Sequence, residues 1–183
     1  GKIKDKRAVE PLLKALADSR GWDSPEIISA LGQLNDPRCI EPLIGYLRTL
    51  LETDPGALIE MKPDGTFFIS DYRANTDNPA LMKELEVTAQ KISQTLAQFG
   101  SQAVDLLIAN LDDDGTVLPL IVMYVLGKIG DRRAIIPIVQ KLKIHDWKTL
   151  SIACQALENL AAENHDIVVV VNRRRPADEV IAV

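Results

Sequence analysis

Few side chains in this sequence have the type and spacing that catalysis or metal binding requires. His145 and His165 stand 20 residues apart, and neither belongs to a His-Glu dyad. Zinc is normally held by three or four closely grouped ligands, so two separate imidazoles do not build a site. A reactive thiol needs an accessible, polarising setting. Cys39 instead holds the small position that Ala8, Ala103 and Ala134 hold in comparable segments, which predicts a core residue. Cys154 also falls inside a helical pattern. No glycine-rich loop able to cradle phosphate is present. Asp112-Asp113-Asp114-Gly115 lacks the spaced ligands and closing Glu of a calcium loop, and reads as a turn between helices. The sequence therefore assigns no catalytic residue, no metal and no cofactor, and points away from an enzyme.

One charged pattern does recur. Asp5 and Arg7, Asp36 and Arg38, and Asp131 and Arg133 occupy matching places in aligned segments. These segments begin at Asp5, Asp36, Gly100 and Asp131, with separations of 31, 64 and 31 residues. The middle separation is one 31-residue period plus an insertion of 33. Recurrence at fixed places favours a structural ladder, each Arg bridging to an Asp of an adjacent unit, over a bound phosphate or acidic partner. The third segment has Gly100 and Gln102 at these places and Leu106 where the others have Pro, so a ladder is expected to be interrupted there.

The elements that must position these charges are helices. Val9, Leu12, Leu13 and Leu16 follow the i, i+3, i+4, i+7 spacing of an amphipathic helix, as do Ile135, Ile138, Val139 and Leu142. Pro11, Pro42 and Pro137 are harmless only within the first turn, so these helices begin at or after about Arg7, Arg38 and Arg133. The Asp ahead of each Arg sits in the lead-in turn, where its carboxylate can accept backbone amides or meet an Arg. A second helix precedes each such turn, over 25–34, 79–99, 117–129 and 149–160. A helical hairpin of this kind cannot bury both apolar faces alone, and stacking on neighbours completes the core.

The motif Leu31-Gly32-Gln33-Leu34-Asn35-Asp36-Pro37-Arg38 returns as Leu126-Gly127-Lys128-Ile129-Gly130-Asp131-Arg132-Arg133. It resembles the short HEAT-like repeats of the phycobilisome-lyase type. The resemblance covers residues 1 to about 50 and 80 to about 160. It implies an all-α fold, an α-solenoid of about five helical hairpins. Iron-dependent hydroxylases built on this repeat carry paired His-Glu motifs, which this chain lacks. Gly1-Lys2-Ile3-Lys4-Asp5 aligns with Gly127-Lys128-Ile129-Gly130-Asp131, so the sequence is expected to open inside the end of a helix, as part of a longer array. Val9 and Leu13 would then seek a partner or an oligomer mate.

Residues 51–79 interrupt the repeat. Ala57 to Met61 and Thr66 to Ile69 flank Lys62-Pro63-Asp64-Gly65, which predicts a short β-hairpin. Five of the eight aromatic residues, Trp22, Phe67, Phe68, Tyr72 and Trp147, fall in or beside connections that a solenoid places on one edge. Aromatics are favoured at binding hot spots, and insertions in repeat proteins often map to the binding face. The plainer alternative is that each Trp staples a helix start and the Phe pair packs the hairpin down. Beyond Leu160, residues 166–183 read as a degenerate last unit or a tail. There Ile167 to Val171 suits a degenerate last helix, an edge strand or a segment running on into further sequence, and Arg173-Arg174-Arg175 a solvated run.

Composition agrees with this outline. The chain is 46% hydrophobic but only 4% aromatic, because Leu, Ile, Val and Ala fill repeated stripes. The net charge is −5, and residues 51–90 hold eight acids against three bases, while the remainder is balanced. An acidic chain argues against broad nucleic-acid binding. No apolar run reaches the roughly 18 residues of a membrane span, and two cysteines suit a reduced, cytoplasmic setting. The expectation is a single HEAT-like repeat domain over 1–183 that acts as a non-enzymatic scaffold for a protein partner. It would bind through its second helices and the aromatic edge, with homo-oligomerisation through uncapped ends as a further option. The alternative implied by the resemblance is a subunit of a lyase acting on the bilin chromophores of phycobiliproteins.

Overall fold

A computed structural model describes residues 5–19, 24–52, 57–61, 67–71, 79–112, 117–142, 147–164, 169–170 and 181–182. Helices carry the architecture, which is all-α with two short accessory strand pairs. The chain forms two compact units, residues 1–103 and 104–183.

In the first unit, the 3-10 turn Lys6–Ala8 leads into α1, Val9–Asp18. Helix α2 spans Ser24–Leu34, and a second 3-10 turn, Pro37–Cys39, leads into α3, Ile40–Glu52. Pro11 and Pro42 are each the third residue of their helix, where a missing N–H costs nothing. Strand β1, Ala57–Met61, pairs antiparallel with β2, Phe67–Asp71, with Ile59 opposite Ile69. Helix α4, Pro79–Gln98, follows, and the 3-10 turn Gly100–Gln102 ends the unit. Helix α2 packs on α1 and α4, and α4 also packs on α3 and β2. Ile28, Leu31, Leu43, Leu47, Ile92 and Leu96 form the centre of the buried set.

A chain of hydroxyls fastens α1, α2 and α3 together. Ser19 donates to the Leu16 carbonyl at 2.7 Å, so its one proton is committed. Ser24, fully buried, must then donate to Ser19 across 2.8 Å, and Tyr46 must donate to Ser24 across 2.9 Å.

In the second unit, α5 is short, Val104–Ala109. Helix α6 covers Leu118–Ile129, the 3-10 turn Arg132–Ala134 follows, and α7 covers Ile135–Lys141. Helix α8, Trp147–Glu163, packs on α6 and α7. Eight of the twelve residues of α6 are buried, so it is apolar nearly all round, as an internal helix must be. Gly130, at φ 75°, closes α6 in the left-handed conformation that glycine adopts without a steric cost. Asn35 holds the same place after α2 at φ 48°. Val169–Val170, within the C-terminal apolar run, is a strand, β3, paired antiparallel with β4, Ile181–Ala182. Arg173, Arg174 and Arg175 lie outside the described residues.

Candidate functional site

The three Asp–Arg turns share one geometry. In each, the Asp backbone is extended and its carboxylate accepts the backbone N–H of the Arg two residues on, at 2.9, 3.1 and 3.0 Å for Asp5, Asp36 and Asp131. The 3-10 turn folds the guanidinium back onto the same carboxylate. Arg7 Nη2 donates to Asp5 Oδ2 at 2.6 Å, Arg38 Nη2 to Asp36 Oδ2 at 3.0 Å, and Arg133 Nη2 to Asp131 Oδ2 at 2.8 Å. The charge-assisted bonds hold all three carboxyls below their ordinary pKa, and Asp36, with only 4% of its surface exposed, is brought to about 2. The same bonds raise the three arginines further.

The ladder expected from sequence is met at Arg133, which reaches Asp105 of the previous repeat, but it is not the first contact of these arginines. The main partner of each Arg is the Asp of its own turn, because a tight turn sets residues two apart side by side. Links between repeats use a different acid. Arg133 Nη1 donates to Asp105 Oδ1 at 2.8 Å, and Arg38 Nη1 approaches Glu10 Oε1 at 3.8 Å. Both acids lie 28 residues before their Arg, at the second position of the helix that the previous turn introduces. The third segment, expected to interrupt the ladder, lacks the Asp–Arg clamp yet still supplies Asp105. Lys6 adds a looser approach to Asp36 at 3.9 Å, and Lys141 meets Asp112 at 2.6 Å. Neither Glu10 nor Asp105 belongs to the Asp-x-Arg pattern that marks the repeats in sequence. The signal available was an acid five residues after the segment start in three of four repeats: Glu10, Glu41 and Asp105.

The aromatic candidates divide differently. Phe67 and Phe68 are the first two residues of β2, opposite Met61 and Glu60, and β2 packs against α4. Trp147 is the first residue of α8. Trp22 and Tyr72 lie outside the described residues, as do the side chains of Phe67, Phe68 and Trp147. The other three aromatics have structural surroundings. Tyr46 ends the hydroxyl chain, Phe99 is buried, and Tyr124 lies under Lys128, whose Nζ is 5.6 Å from the ring centre. On the second helices of the first unit the exposed positions are polar, among them Glu26, Gln33, Gln94 and Gln98, with Val87 the large apolar exception.

The chemistry-bearing residues stay apart. Cys39 and Cys154 are both buried, and burial raises the Cys39 thiol. His145 and His165 lie outside the described residues. Among the described residues no group of three or more His, Cys, Asp or Glu is arranged to hold a metal ion. No helix among them is long and apolar enough to cross a membrane.

Comparison with known families matches residues 1–18 and 26–49 to the model described as PBS lyase HEAT-like repeat. The match takes in the first two Asp–Arg turns, α1 and most of α2 and α3. No curated protein matches the chain.

Proposed function

We propose that this chain is a non-enzymatic interaction scaffold, a solenoid of HEAT-like hairpins that takes a protein partner through its second helices and the edge bearing the 51–79 insertion. HEAT-like repeats commonly mediate protein interactions, and the match over 1–18 and 26–49 brings that reading to this chain. The observation that carries the location is charge. Residues 51–90 hold the chain's entire negative balance, eight acids against three bases, on a body that is otherwise neutral. A partner with a basic face is the complement, steered by a field that salt screens. Deleting residues 57–72 should abolish capture of that partner in a pull-down, and capture should fall above about 0.2 M salt. Undiminished capture by the deletion variant would remove the insertion from the binding surface.

A second reading rests on the description of the matched family, which names a lyase. In it the chain is a subunit of a bilin lyase, with Trp22, Tyr72 or Trp147 stacking on the tetrapyrrole. Titration with a bilin, followed by visible absorbance, separates the two readings. A saturable spectral shift supports the lyase subunit, and an unchanged spectrum the scaffold.

A further inference from the structure

We propose that the insertion takes its protein partner by strand addition. An extended segment of the partner lies along the outer edge of β1 as a third strand. That segment sets a Lys or Arg in register with Glu60 and apolar residues in register with Ile59 and Met61. The inference rests on the insertion being the binding surface proposed above, and adds the way in which it binds.

Backbone pairing carries it. Strands β1 and β2 form a sheet of two, paired without a bulge from Ala57 opposite Asp71 to Met61 opposite Phe67. Each strand of such a ladder is paired along one side, so alternate residues of β1 turn N–H and C=O away from β2. Among the described elements, α4 packs on β2, and no helix packs on β1 to the same extent. One strand is thus held by a long helix, and the other offers a row of backbone donors and acceptors. Native edge strands are commonly blunted by a bulge, a Pro or a Lys. Ala57-Leu58-Ile59-Glu60-Met61 has none of these. A two-stranded hairpin is marginal in water by itself, so a third strand stabilises it. The pair β3 and β4, two residues each, gives no template of this length.

Charge selects the occupant. Alternation along β1 puts Ala57, Ile59 and Met61 on one face of the sheet and Leu58 and Glu60 on the other. An added strand sets one residue directly beside each of them. Beside Glu60 a cation is favourable and an acid unfavourable. The eight acids and three bases of residues 51–90 act in the same sense. A second copy of this chain is the poorer occupant, because it brings the same negative region to the same edge.

Binding of fluorescent peptides to the full chain at low salt tests the proposal. One peptide alternates Val and Lys. Another has the same side chains but is N-methylated at every residue, so it keeps the charge and donates no backbone N–H. A third alternates Val and Glu. The Val/Lys peptide should bind and should slow hydrogen exchange at alternate amides of β1. The methylated peptide should bind at least about tenfold more weakly. Glu60→Lys should cut the preference for Val/Lys over Val/Glu by about threefold or more. Failure of the Val/Lys peptide to bind would overturn the proposal. Equal binding of the methylated peptide, lost when residues 57–72 are deleted, would overturn strand addition while upholding the insertion as a binding surface. Binding that survives the deletion would overturn both. Dimerisation of the unliganded chain that the Val/Lys peptide reverses would also overturn the proposal, since a second copy would then be the occupant.

Discussion

Gly127 on α6 faces Ala156 on α8 so closely that a Cβ at position 127 would stand 2.7 Å from the Ala156 Cα and 3.0 Å from its Cβ. The obstruction is backbone, so no rotamer change relieves it. Gly127→Ala should therefore destabilise the protein by about 1–3 kcal/mol from overpacking, more than the roughly 1 kcal/mol that alanine's helix propensity returns. Gly32 is the equivalent residue of α2, but a Cβ there meets side-chain atoms, Thr95 Cγ2 at 2.8 Å and Gln98 Oε1 at 3.1 Å. Gln98 is exposed and can swing away. Urea unfolding should rank Gly127→Ala as the more damaging change, and equal losses would contradict a backbone obstruction.

Acid should weaken the fold through Asp36. Its carboxyl lies at about 2 when folded, against an ordinary value near 3.8, chiefly because Arg38 hydrogen-bonds the charged form. A folded pKa below the unfolded one contributes stability that is complete above about 3.8 and is lost as pH falls toward 2. Asp36→Asn should flatten that part of a Tm–pH profile while leaving the smaller contributions of Asp5 and Asp131, which titrate in the same direction. Arg38→Ala should lower Tm at pH 7 and flatten the same acid limb, without altering partner binding. An Asp36→Asn profile parallel to that of the parent would show that this carboxyl does not control the acid limb.

The turn-led helices were legible in sequence because their signals are local. Each Asp-x-Arg sets a cap, each Pro must fall in the first turn, and the apolar stripe fixes the buried side. Helix α2 begins at Ser24, one residue before the expected Pro25, and α8 runs from Trp147 to Glu163, longer than its stripe suggested. The charge links were not legible to the same degree. Which acid an arginine meets depends on how one turn lies over the previous helix, a relation 28 residues long that no single segment contains. The hydroxyl chain was hidden for the same reason, since Ser24 and Tyr46 are 22 residues apart and meet only after α2 and α3 fold together.

Removing the outer hydroxyl of that chain should cost less than removing the middle one. Tyr46→Phe leaves Ser24 still donating to Ser19, and one accepted bond is lost, about 1 kcal/mol. Ser24→Ala deprives Ser19 of its donor and Tyr46 of its acceptor at a fully buried position, at a cost of about 1–3 kcal/mol. The double variant should cost little more than Ser24→Ala alone, because the bond from Tyr46 is already gone. Additive losses in denaturant unfolding would mean that the two hydroxyls act separately.

Cys39 offers a test of the repeat register itself. It is fully buried, burial raises its thiol pKa, and three equivalent positions hold Ala8, Ala103 and Ala134. A place that accepts alanine in three repeats should accept it in the fourth, so Cys39→Ala should change stability by less than about 1 kcal/mol, the loss being one small buried sulfur. Cys39→Ser is nearly the same size but buries a hydroxyl, which costs about 1–3 kcal/mol where no partner is offered. A thiol reagent should label Cys39 in the native protein only as fast as the fold opens, since neither access nor a thiolate is provided. Rapid native labelling at Cys39, or a Cys39→Ala loss as large as that of Cys39→Ser, would show that this repeat departs from the register of the other three.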